Sequence, residues 1–288
     1  MHPMLFIVIL LVTVFGMYQI LGGVMTIIFL GGDISKLEQK LTTTRIVLSF
    51  SQFMFLLFPV LIFSMLQGNK FKEVFRIKKP DLSVLLLAVF ALIVIQPFLQ
   101  VYLLIQNKLI FAIPFGTDII RNLKTLFDSL ESTTMNLVKA NNIPEFIGVV
   151  FIIAVTPAIC EEFLFRGLVF KNFEKISKPF NAIFFTGLLF ALFHFHPFNL
   201  IPLILLGFFL TYVTYYSGSI FTAIICHFIN NFVSALSVFI LGKENFAEPN
   251  VSNTELMQYS VLGLISLIIF IALLISINKI CKNKLIKT

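Results

Sequence analysis

Thr156-Pro157-Ala158-Ile159-Cys160-Glu161-Glu162-Phe163-Leu164-Phe165-Arg166-Gly167 places two carboxylates and a guanidinium well inside a long apolar run. At the centre of a membrane helix each such charge costs about 2.5–3.5 kcal/mol on insertion scales, so the three together cost roughly 8–10 kcal/mol. A chain this apolar had no compositional need of them, so they must face protein or trapped water and mark a candidate functional site. Glu162 and Arg166 are four residues apart, on one helical face, with the acid N-terminal in the better orientation for a pair. Glu161 is turned about 100° away and has no local partner. One carboxylate therefore reads as neutralised and the other as free for chemistry. The bland alternative is a packing network in which both acids share Arg166.

The surrounding composition sets the solvent. Of 288 residues, 58% are hydrophobic and only 12% are charged, where a soluble domain has about 25% charged residues. Mean hydropathy is +0.99. A soluble fold still needs a polar surface and could not hide this much apolar area. Soluble enzyme, secreted disulfide scaffold and disordered regulator are excluded. The net charge of +7 is what the positive-inside bias of membrane proteins produces, so it implies no nucleic-acid partner. Cys160, Cys226 and Cys281 form no CxxC and suggest neither a disulfide framework nor a zinc knuckle. The start, Met1-His2-Pro3-Met4, lacks a basic n-region, and the first apolar run reads as a retained membrane segment.

Apolar runs long enough to cross a bilayer, at about 20 residues each, fall at 4–30, 46–66, 82–105, 146–170, 180–195, 198–216, 219–241 and 259–281. The fold class is all-α: a polytopic integral membrane protein of about eight transmembrane helices enclosing an intramembrane polar cavity. The run 180–195 is short, and His196, Pro197 and Asn199 predict a tight turn or broken helix after it. Basic clusters within 70–79, 171–178 and 279–287 share one side with both termini, which places the termini in the cytoplasm. Residues 1–145 form an N-terminal helical part, with an amphipathic segment near 106–145 that reads as an interfacial helix or a lid. Residues 146–240 form the core, and 241–288 the last span and a basic tail.

Histidine usage sharpens the site. Apart from His2, the histidines are His194, His196 and His227, all in the membrane half that follows the two acids. The midpoint of positions 161 and 194 falls on the turn Ser177-Lys178-Pro179. In antiparallel helices Glu161 and His194 then share a depth, each about 20–25 Å from the turn. His196 lies past that depth and is peripheral. His227 and Asn231 are four apart and project together, while Asn230 points elsewhere; His227 is only about 12 Å into its span, a mismatch with His194.

Glu161-Glu162-x-x-x-Arg166, Phe190-x-x-x-His194 and His227-x-x-x-Asn231, in this order on apolar segments, resemble the CPBP intramembrane protease family, which includes the CAAX prenyl protease 2 enzymes and the Abi and bacteriocin-immunity proteins. The resemblance covers about residues 146–240. It implies a helical bundle with a water-filled cavity opening to one leaflet. Glu161 would activate the hydrolytic water with His194 helping to hold it, His227 and Asn231 would stabilise the oxyanion, and Glu162 and Arg166 would position the first pair. It implies an endopeptidase acting on membrane-associated or lipidated peptides and proteins; separately, 36 Phe and no Trp with abundant Ile, Lys and Asn point to an AT-rich bacterial genome, and so to a bacterial cell membrane. A zinc ion on Glu161, His194 and His227 stays open beside a metal-independent site, since HExxH is absent. Two rival functions remain: a non-proteolytic immunity or scaffold protein, and a transporter using Glu161, Arg166 and His194 as a proton relay.

Overall fold

The computed structural model of the chain describes residues 1–37, 39–68, 70–112, 117–242 and 251–286. Regular structure among the described residues is helical throughout. In chain order the principal helices are α1 (Pro3–Phe29), α2 (Leu41–Leu66), α3 (Leu82–Ile110), α4 (Thr117–Val138), α5 (Ile143–Glu174), α6 (Pro179–Phe193), α7 (Pro197–Ser217), α8 (Ile220–Leu241) and α9 (Asn253–Asn283). All but α4 and α6 are long and apolar enough to cross a membrane, and the chain is a multi-pass membrane protein.

The run 180–195, counted from the sequence among eight spans, is α6, whose 15 residues reach only about 22 Å, short of a hydrocarbon core of about 30 Å. It ends at His194, and the chain reverses at once through Phe195, a non-glycine residue held at φ 51°. The amphipathic segment is narrower than its sequence boundaries. The helix of α3 continues to Ala112 and α5 already begins at Ile143, leaving α4 as the amphipathic element; positions 113–116 lie outside the described residues. So do 243–250 and 287–288, and with them Lys287 of the C-terminal basic cluster.

α5 is the central helix. Ala154, Ala158, Cys160, Leu164, Phe165, Leu168, Val169 and Phe170 are fully buried because α1, α2, α6, α7 and α8 all pack on it. This enclosure lets charges sit at membrane depth without meeting lipid. Lipid-facing residues are correspondingly apolar, as with Leu5, Val8 and Val12 on α1 and Val261, Ile265 and Ile268 on α9. Arg45 of α2, itself buried, donates to the carbonyls of Leu137 (2.8 Å) and Lys139 and to Glu145 Oε1 at 2.7 Å. It thereby pins the end of α4 to the start of α5.

α6 and α7 cross backbone to backbone. A Cβ on Gly187 would lie 2.5 Å from the Phe208 nitrogen, and one on Gly207 would lie 2.7 Å from the Gly187 oxygen. Small residues permit such close crossings in membranes, where dispersion rather than the hydrophobic effect holds helices together. Gly187→Ala should cost about 1–3 kcal/mol of overpacking and lower the thermal midpoint in detergent. A midpoint equal to the parent's would show that the crossing is not tight.

Candidate active site

Glu162 and Arg166 are both wholly buried on α5. Arg166 Nη1 donates to Glu162 Oε1 at 2.7 Å, and Nη2 donates to the Gly207 carbonyl at 3.1 Å. The guanidinium carbon stands 4.5 Å from the centroid of the Phe190 ring. Glu162 Oε1 accepts a second hydrogen bond, from His227 Nδ1 at 2.7 Å. The acid thus serves a guanidinium on its own helix and an imidazole on α8, and charge-assisted bonds of this kind offset desolvation that neither group alone could bear.

Glu161 faces away from that pair. Its Oε2 lies 3.8 Å from His194 Nε2 and has no hydrogen-bond partner among the described residues. His194 Nδ1 donates to the Phe190 carbonyl at 2.7 Å. A carbonyl only accepts, so in the neutral ring the proton sits on Nδ1 and Nε2 presents a lone pair toward Glu161. Two acceptors 3.8 Å apart are too distant for a direct hydrogen bond and are spaced for one donor molecule between them.

His227 and Asn231 share a face of α8, and both reach α5: His227 to Glu162, and Asn231 Nδ2 to the Ile153 carbonyl at 3.3 Å. Asn230 turns the other way, toward α3. The expected depth mismatch does not separate the histidines. The ring of Phe190 lies 4.6 Å from that of His194 and 6.0 Å from that of His227, centroid to centroid. At the membrane end of α8, Arg76 accepts from Ile220 N with its carbonyl and bonds Glu174 of α5 with its guanidinium. Phe190 is therefore the hub of the three motifs, meeting Arg166, His194 and His227. The sequence pointed to it only through its place in a motif.

Other neighbours carried no sequence signal. The Gly207 carbonyl is a backbone atom. Tyr18 and Gln52 come from α1 and α2, joined at 3.3 Å by Gln52 Nε2 donating to the Tyr18 hydroxyl, and Tyr18 lies within electrostatic reach of Glu161. Both sit in π-helical segments, Gly16–Leu21 and Gln52–Leu57, and further π segments at Phe151–Val155 and Phe163–Val169 flank the acids on α5. Single π turns recur at functional sites because they re-aim side chains. His196 is tied locally, accepting from Asn199 N at 3.1 Å, and packs on Phe127 of α4 at 5.2 Å.

Among the described residues no three His, Cys, Asp or Glu side chains converge as a metal site; His194 and His227 each spend Nδ1, on the Phe190 carbonyl and on Glu162, which leaves Nε2 of each as the atom that would hold a metal ion.

The fold and this carboxylate–histidine constellation define a polytopic membrane protein with a shielded polar site at the centre of its bundle. Residues 143–233 match the family model described as type II CAAX prenyl endopeptidase Rce1-like, a span that contains all three motifs and bears out the resemblance to the CPBP family. No curated protein and no solved structure matches the chain.

Proposed function

We propose that the protein is an intramembrane endopeptidase that hydrolyses peptide bonds in membrane-associated or lipidated substrates with a water activated by Glu161. The observation that carries this reading is the gap of 3.8 Å between Glu161 Oε2 and His194 Nε2. A water between them donates one hydrogen to each acceptor and turns an oxygen lone pair toward a substrate carbonyl. As the new C–O bond forms, the water proton passes to Glu161 and the carbonyl electrons move to the oxyanion. Asn231 spends one amide hydrogen on Ile153, leaving the other to donate to that oxyanion; His227, whose Nδ1 proton is spent on Glu162, joins it only as an imidazolium donating from Nε2. Glu161 returns the proton to the leaving nitrogen as the C–N bond breaks, giving a carboxylic acid and an amine. Glu162 and Arg166 act as positioning residues that hold His227 and, through Phe190, His194. The basic clusters favour both termini in the cytoplasm, and the Phe-rich, Trp-free composition favours a bacterial cell membrane.

The test uses purified protein in detergent and a library of membrane-anchored peptides, with and without a chelator. The parent should cleave and His194→Ala should not, with chelator leaving the rate unchanged; loss with chelator would establish the zinc reading. Full cellular function of both Glu161→Ala and His194→Ala would replace catalysis with the scaffold reading.

A further inference from the structure

A cavity of about 390 Å³ between α3, α7, α8 and α9 has His194 on its wall, together with Gln96, Asn230, Leu206 and Phe209. Its size falls in the range of small-molecule sites, roughly 300–1,000 Å³. Gln96 and Asn230 belong to a ladder of amides: Gln96 Nε2 donates to Asn230 Oδ1 at 3.4 Å, Asn230 Nδ2 donates to Asn231 Oδ1 at 3.3 Å, and Asn231 Nδ2 donates to the Ile153 carbonyl at 3.3 Å. Its direction is set from both ends. Ile153 O can only accept, and so can Leu92 O, which takes the other Gln96 bond at 3.2 Å. The amide assignments therefore follow from backbone chemistry.

Counting valences shows what the ladder offers. Gln96 spends its amine group on Leu92 and Asn230, which leaves its oxygen as an acceptor. Asn230 spends one amine hydrogen on Asn231, which leaves one donor. An acceptor and a donor on adjacent side chains complement the N–H and C=O of a secondary amide. A hydrocarbon chain would leave both unsatisfied at membrane depth, which is costly. A carboxylate would meet no Lys or Arg on this wall.

We propose that this cavity is a substrate subsite that reads one main-chain peptide group flanking the scissile bond, with Gln96 Oε1 accepting from its N–H and Asn230 Nδ2 donating to its C=O. The proposal rests on the endopeptidase reading for the identity of the ligand, and its test is made independent of turnover. Binding of a membrane-anchored peptide is measured on Glu161→Gln protein, with each peptide bond in turn replaced by an ester, which removes the N–H and leaves the C=O a weaker acceptor. One position outside the scissile bond should weaken binding roughly 10–100-fold, the worth of one buried hydrogen bond. Adding Gln96→Met should weaken the all-amide peptide similarly and abolish the further loss at that ester. No sensitive ester position, or ester and Gln96→Met losses that simply add, would overturn the subsite. Should Gln96→Met fail to fold, the ester scan on Glu161→Gln protein decides alone. Failure of the parent to hydrolyse any peptide would remove the endopeptidase reading without altering the binding result.

Discussion

Arg166→Met should leave the protein about 3–5 kcal/mol less stable, the penalty for stranding one partner of a buried ion pair, and most of the purified material should fail to hold its fold in detergent. Arg166 and Glu162 have no exposed surface. Without the guanidinium, Glu162 keeps His227 as its only hydrogen-bond donor among the described residues, and the Gly207 carbonyl loses its bond from Arg166. Methionine matches the length of the stem but neither the charge nor the fork of donors. The double variant Glu162→Gln/Arg166→Met should recover part of the loss, because no unpaired charge stays buried. Thermal unfolding in one detergent checks both, and a single variant as stable as the parent would contradict the description of α5.

Glu161→Gln should behave in the opposite way. Cleavage should fall by about 10²–10⁴-fold, the usual contribution of a positioned general base. Stability should hold or rise, since Glu161 Oε2 is a buried acceptor without a partner among the described residues and a neutral amide is cheaper to bury. The neighbouring acids should thus be distinguished by phenotype, Glu162 acting in the fold and Glu161 in the proposed reaction. Paired measurements of unfolding midpoint and cleavage rate check this, and a Glu161→Gln protein that unfolds early would place Glu161 with the packing network instead.

Much of this arrangement was legible before any coordinates. The cost of charge in lipid singled out Glu161, Glu162 and Arg166, helical spacing separated their roles, and counting residues from the turn at 177–179 brought His194 level with Glu161. Periodicity tells which side chains share a face, and it served for His227 with Asn231. It does not tell how helices tilt or how side chains bridge differences in depth, so the meeting of His194 and His227 around Phe190 stayed hidden. The shortness of α6 was visible as a short run, yet its termination at His194 depends on the positive φ of Phe195, which no residue preference announced. Gly187 and Gly207 gave no sign of facing each other, because a helix–helix crossing is a property of two segments together. Tyr18 and Gln52 reach the site from α1 and α2, which lie outside the span matched by the family.

The central claim is that a water held by Glu161 and His194 is the nucleophile. Single-turnover cleavage of one membrane-anchored peptide in water enriched in heavy oxygen, by the parent and by Glu161→Gln side by side, addresses it most directly. The parent should place one heavy oxygen in the newly formed C-terminal carboxylate, and the Glu161→Gln protein, equally folded, should release no product above background. Release of the same product by Glu161→Gln at the parent's rate would contradict the account.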